Sequence, residues 1–203
     1  MSVTDSGRQE IADAIRAAEA ITSGEIFCVH ARASDDYRYI PLLWAALAAL
    51  LLPAPLILFT LWPVQIIYLA QLAVFLALAL AGSWEPLRLR LLPGTVKRRR
   101  AHRNALGQFL AHGLHKTESR TGVLIFVSEA EHYAEVVADA AIYEKVAPAV
   151  WDEAVAALVS AARAGRLAEG FVKAIAICGE VLARNFPRAN DDRNELPNQL
   201  VEL

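Results

Sequence analysis

Apolar residues fall at helical spacing from Ser2 to Ala20, with Ile11, Ile15 and Ala18 on one face. Arg8, Glu10, Asp13 and Arg16 take the other faces, so the pattern predicts an amphipathic helix capped by Thr4 or Asp5. Thr22-Ser23-Gly24 reads as a turn, and Glu25-Ile26-Phe27-Cys28-Val29-His30 as a short strand rich in β-formers. Ser34-Asp35-Asp36 opens a loop, and then the alternation of polar and apolar positions stops. Between Arg38 and Glu85 no residue is charged. A break at Trp62-Pro63 divides this block into Pro41 to Leu61 and Val64 to Trp84. Each piece is close to the ~20 residues that cross a ~30 Å hydrocarbon layer as a helix. The block therefore predicts a helical hairpin that enters a bilayer and returns. Pro53 and Pro55 each remove a backbone donor, which predicts a kink or a re-entrant path in the first piece. Gln65 and Gln71 are placed to hydrogen-bond across the hairpin, and Tyr39, Trp44, Trp62, Tyr68 and Trp84 lie mostly near its ends, as interfacial aromatics do.

Helical spacing returns from Lys97 to His115, where Ala101, Ala105, Phe109 and Leu110 sit among basic and polar neighbours. Thr121 to Val127 is the strongest strand signal and reads as buried on both faces. Ser128-Glu129-Ala130-Glu131 makes a turn, and Ala134 to Asp139 is the hairpin partner strand. Val150 to Ala164 and Leu167 to Phe186 are helices, the first ended by Gly165 and the second by Pro187. Arg188 to Leu203 reads as a polar, turn-rich tail. The order predicts an α/β fold, an α+β-like sandwich in which a small central sheet is flanked by helices and a transmembrane helical hairpin is inserted. Its parts are residues 1–37 (first helix and strand), 38–86 (hairpin), 87–187 (remainder of the domain) and 188–203 (tail).

Composition sharpens the picture in one place. The formal net charge of −2 hides an asymmetry, because Arg88, Arg90, Lys97, Arg98, Arg99, Arg100 and Arg103 follow the second span closely. A basic cluster beside a membrane exit reads as a topology determinant or a lipid-headgroup contact, and no RNA-binding aromatic motif accompanies it, so no nucleic-acid partner is expected. The Trp62 connection carries no Lys or Arg, whereas Arg32 and Arg38 precede the hairpin. The positive-inside bias then places both flanks in the cytoplasm, with the hairpin as two spans of the inner membrane. The N-terminus has no basic region followed by an apolar run, so no cleavable signal peptide is expected. Cys28 and Cys178 have no CxxC partner and read as small buried hydrophobes.

Catalytic signatures are sparse. The chain has no HExxH, GxSxG, Walker A loop or GxGxxG. His102, His112 and His115 fall on the predicted basic helix, and the last two, three apart, share a face: either a weak metal pair or a solvated, headgroup-facing surface. Acids are more suggestive. If the Thr121 strand and its partner are antiparallel, Glu118, Arg120 and Asp139 meet at one sheet edge, with Asp152 and Glu153 opening the next helix nearby. Carboxylates converging there suit a hard divalent cation, calcium or magnesium. The alternative is surface charge paired with Arg120, plus acids favoured by a helix N-terminus.

An ordered set of segments resembles the TPM domain family, above all its short bacterial membrane members. The set is Thr22-Ser23-Gly24-Glu25-Ile26, Thr121 to Val127, Val136-Val137-Ala138-Asp139, Val150-Trp151-Asp152-Glu153, Ala164-Gly165-Arg166…Gly170, and Asp192-Arg193-Asn194-Glu195-Leu196-Pro197. It spans nearly all the sequence outside the hairpin. The resemblance implies an α/β sandwich and, in some members, a divalent ion held by acids near the sheet end, where Glu118 and Asp139 fall here. It also implies a choice of roles, since the family includes a photosystem II repair protein with acid phosphatase activity and an auxiliary receptor subunit. Where many members have Asp-Asn-Gly this chain has Arg120-Thr121-Gly122, and where many have Gly-Tyr-Gly it has Asp139-Ala140-Ala141. The expected function is an accessory, assembly or binding module held at a membrane complex, contacting lipid and either a membrane-protein partner or further copies of itself. The competing expectation is a divalent-metal-dependent phosphatase acting near the membrane.

Overall fold

A computed structural model describes residues 3–37, 39–84, 88–90, 92–117, 119–189 and 193–203. Its principal elements run α1 (Asp5–Glu19), β1 (Glu25–Ala31), α2 (Tyr39–Leu51), α3 (Pro53–Phe59), α4 (Val64–Ser83), α5 (Gly94–Ala111), a 3-10 turn (Leu114–Lys116), β2 (Gly122–Ser128), β3 (Tyr133–Ala138), α6 (Ala140–Tyr143), α7 (Pro148–Arg163), α8 (Leu167–Asn185) and β4 (Leu200–Glu202). The chain divides into two units, Met1–Ser34 with Arg98–Leu203, and Asp35–Lys97.

In the first unit the four strands form one sheet in the order β3-β2-β1-β4. β1 is parallel to β2 and to β4, whereas β2 and β3 are antiparallel. Both faces are covered. Ile26, Cys28, Val123, Ile125 and Leu200 join a core with Ile11 and Ile15 of α1, Leu158 of α7, and Phe171, Ile175 and Cys178 of α8. Phe27, Val29, Leu124 and Phe126 point the other way, to Ala105 and Phe109 of α5. This explains why β1 and β2 are buried at every position and why their sequences show no polar alternation.

Local chemistry sets the ends. The Thr4 hydroxyl accepts from the Gly7 amide at 3.2 Å and starts α1. At the end of α7, Gly165 takes φ 75°, while its own amide and that of Arg166 bond back to Ala162 and Ala161, closing a left-handed cap. The polar tail departs from expectation. Its last residues form β4, pairing Leu200 with Cys28 and Glu202 with His30. Buried or half-buried acids tie down the approach: the Glu195 amide donates to Glu25 at 3.1 Å, and Asn198 donates to Glu19 at 2.6 Å. A polar segment recruited by carboxylates on α1 and β1 leaves no hydrophobic period for a sequence reading to detect.

The second unit is built from apolar helix. Tyr39–Phe59 runs for 21 residues and Val64–Ser83 for 20. Pro53 interrupts the hydrogen bonding between α2 and α3, yet Leu52 keeps helical angles (φ −57°, ψ −41°), so the backbone path continues. Pro63, extended at ψ 148°, sets the start of α4. Pro41 of α2 meets Gly82 of α4, where an added Cβ would lie 2.3 Å from the Pro41 Cβ, so only glycine permits this approach. Gln65 and Gln71 make no side-chain hydrogen bond among the described residues, contrary to the expected cross-links.

Candidate functional site

The antiparallel pairing of β2 and β3 brings the start of one beside the end of the other. The Asp139 amide donates to the Gly122 carbonyl at 3.0 Å, one step beyond the Val123–Ala138 pair. Gly122 is required there, because a Cβ would lie 2.5 Å from the Leu114 carbonyl oxygen. Asp139 caps α6, and its Oδ1 accepts from the Ala140 amide at 2.6 Å. Its Oδ2 is buried without a hydrogen-bond partner. An orphaned carboxylate oxygen carries a desolvation cost that a cation or a water relieves.

The other acids of this end are less informative. Glu118 lies outside the described residues. Asp152 is exposed on α7 beyond its first turn, which holds no acid, so the expected helix-opening position is not where it falls. Arg120 is exposed and sits at φ 51°. Among the described residues no three His, Cys, Asp or Glu side chains are grouped to hold a metal ion.

The histidines separate. α5 ends at Ala111, Gly113 turns left-handed at φ 74°, and His115 falls in the 3-10 turn. His112 and His115 therefore do not share a helix face, which corrects the expected pair. His112 packs on the Phe27 ring, centroids 4.4 Å apart. His102 points instead to β3, with its Nδ1 at 2.9 and 3.0 Å from the two Glu135 oxygens. Tyr133 donates to the same carboxylate at 2.9 Å. Burial, and then the neighbouring Glu135 charge, push the Tyr133 phenol well above its usual range. This His–Glu–Tyr chain fastens basic α5 to the edge strand of the sheet. The sequence displays no signal for it, since the partners are 33 residues apart.

Two positions at the opposite end of the sheet escape a sequence reading altogether. His30 is buried on β1, and Ser128 of β2 is fully buried, donating to Glu131 and sharing a 2.7 Å hydrogen bond with Ser34. Neither belongs to a spacing motif.

The largest chemical feature is nevertheless apolar. In the most hydrophobic stretch of each long helix, only 11% and 6% of residues are buried, so these helices are not the core of a globule. Leu58, Phe59, Leu61 and Leu80 are among many large side chains left open. By length and composition both helices suffice to cross a membrane.

No protein-family model matches the chain, and no curated protein matches it. Among solved structures it is similar to the NMR structure of the BA42 protein from the psychrophilic bacterium Bizionia argentinensis. The TM-score is 0.63 at 21% identity, covering 100% of this chain and 97% of that one. At that identity the likeness bears on fold alone.

Proposed function

We propose that this chain is a membrane-anchored, TPM-like domain that serves as an accessory, assembly or binding module at a membrane complex. The observation that carries the reading is the exposure of two long apolar helices beside a separately packed α/β unit. In water that surface would be a severe aggregation liability; in lipid it needs no cover. The helices form a transmembrane hairpin. β1 precedes them and β2 follows them, and the two strands are hydrogen-bonded neighbours in one sheet. That pairing supports a reading in which both flanks lie on one side of the membrane, with an even number of crossings. The basic residues from Arg88 to Arg103 favour the cytoplasmic face of an inner membrane. A reporter fused to the C-terminus is expected to read out as cytoplasmic; a periplasmic signal contradicts the sidedness.

With no recognisable catalytic set in the sequence, the α/β unit is best read as a docking module. The partner is a membrane protein or further copies of the chain. Affinity purification after mild detergent extraction tests this directly. Stoichiometric recovery of one membrane complex supports the accessory role, crosslinking to itself supports a homo-oligomer, and recovery of the bare monomer contradicts both.

One observation favours a second reading, a divalent-metal-dependent phosphatase: the buried, unpartnered Oδ2 of Asp139. Calorimetric titration with calcium, together with hydrolysis of a chromogenic phosphate ester, checks it. Binding and turnover that are both lost in Asp139→Ala would replace the accessory reading with this one.

A further inference from the structure

We propose that a cavity at the carboxyl ends of β1 and β2 binds a small apolar monocarboxylate. The cavity measures about 200 Å³ and lies within the first unit. Crevices outside the carboxyl ends of parallel strands are where open α/β sheets take ligands. Three features select the ligand.

The first is His30. Its side chain is 2% exposed and lines the cavity, and its Nε2 has no hydrogen-bond partner. Glu129 is 3.7 Å from that nitrogen and Glu202 is 3.6 Å from Nδ1, both too far for a hydrogen bond. Buried polar atoms are nearly always paired, so this one is prepared for something that enters. The second is the wall. Leu158 and Ala162 of α7 and Leu167 of α8 face the space, with Val127 and Ala134 from the sheet. An apolar cavity of about 150 Å³ is known to accept benzene, so this volume suits an aryl or branched alkyl group. The third is charge. Arg163 and His132 also line the cavity, and neither has an ion pair or side-chain hydrogen bond among the described residues. Glu129 is the one acid in the lining, and it already has partners of its own. Arg163 and His132, without partners, and hydrocarbon share one lining, which matches a carboxylate head on an apolar body. The head accepts from His30, His132 and Arg163; the body lies along α7.

This inference does not depend on the membrane reading. Its test uses the full chain in detergent, titrated calorimetrically with sodium benzoate and, separately, with benzamide. Saturable benzoate binding is expected, with benzamide at least tenfold weaker. Arg163→Gln is expected to weaken benzoate at least tenfold. Arg163 is exposed, so that variant leaves folding intact even where His30→Gln does not. Ala162→Trp, which fills the space from a half-buried position, is expected to abolish binding with an unchanged circular dichroism spectrum. A short peptide ending in Phe separates two sources of the same chemistry. If it outcompetes benzoate only with a free C-terminus, the carboxylate belongs to a chain end; if it does not compete, the ligand is a free acid. Absence of saturable benzoate binding, equal affinity for benzamide, or indifference to Arg163→Gln overturns the proposal.

Discussion

Gly122 shows how one residue constrains the sheet end. Its missing Cβ lets the Leu114 carbonyl approach, so Gly122→Ala is expected to destabilise the domain by about 1–3 kcal/mol, the usual range for overpacking. Urea denaturation in detergent measures it. The cysteines make a second residue-scale test. Burial pushes the Cys178 thiol up to about 12 and holds Cys28 well above its usual range. Because the thiolate is the nucleophile, a thiol reagent at pH 8 is expected to label neither in the native protein and both after unfolding. Fast labelling of the native protein contradicts the packing. Tyr133 yields a pH dependence. Its phenol is raised on folding, so its contribution to stability is complete below the unfolded value, about 10, and is lost as pH rises beyond it. Between pH 9 and 11 the melting temperature is expected to fall further in the natural protein than in Tyr133→Phe. At this scale the place of Asp139 beside the start of β2 was legible, because a hairpin brings one strand's start to the other's end. His30 was not, because a lone histidine inside an apolar strand carries no spacing signal, and its isolation appears only when the walls of the cavity are in place.

At the scale of elements, periodic segments read true and recruited ones did not. α1, α7 and α8 each bury a stripe at helical spacing, and β2 is an unbroken apolar run, so pattern alone located them within a few residues. β4 has only three residues and follows a polar stretch. Its place is fixed by β1 and by the acids on α1 and β1, which are remote in sequence. Leu200→Ala is accordingly expected to cost about 2 kcal/mol or more by denaturant titration, a loss that a disordered tail would not produce. The predicted basic helix ran too far because Gly113 turns left-handed, and with that turn the histidine pair dissolves. In the apolar unit Pro41 packs so close to Gly82 that a Cβ there would collide with it. Gly82→Val is expected to separate α2 from α4, reducing disulfide crosslinking between cysteines placed at Ala45 and Leu78, which line the same crevice as Gly82.

Across the whole molecule, one structural fact governs the rest. A sheet whose neighbouring strands β1 and β2 are interrupted by two exposed apolar helices can close only if the interruption leaves and returns on the same side. The proposed sidedness rests on the basic residues after the second apolar helix, and the proposed accessory role on a folded α/β unit anchored by that hairpin. The uncharged block was the most legible part of the sequence, because two helices long and apolar enough to cross a membrane are specified by length and composition and little else. The proposed docking role of the α/β unit had no counterpart in the sequence, because docking surfaces have no fixed spacing. The most direct measurement is extraction of membranes with alkaline carbonate in the absence of detergent. The chain is expected to remain wholly with the pelleted bilayer; its release into the supernatant would contradict the membrane-spanning hairpin and the role built on it.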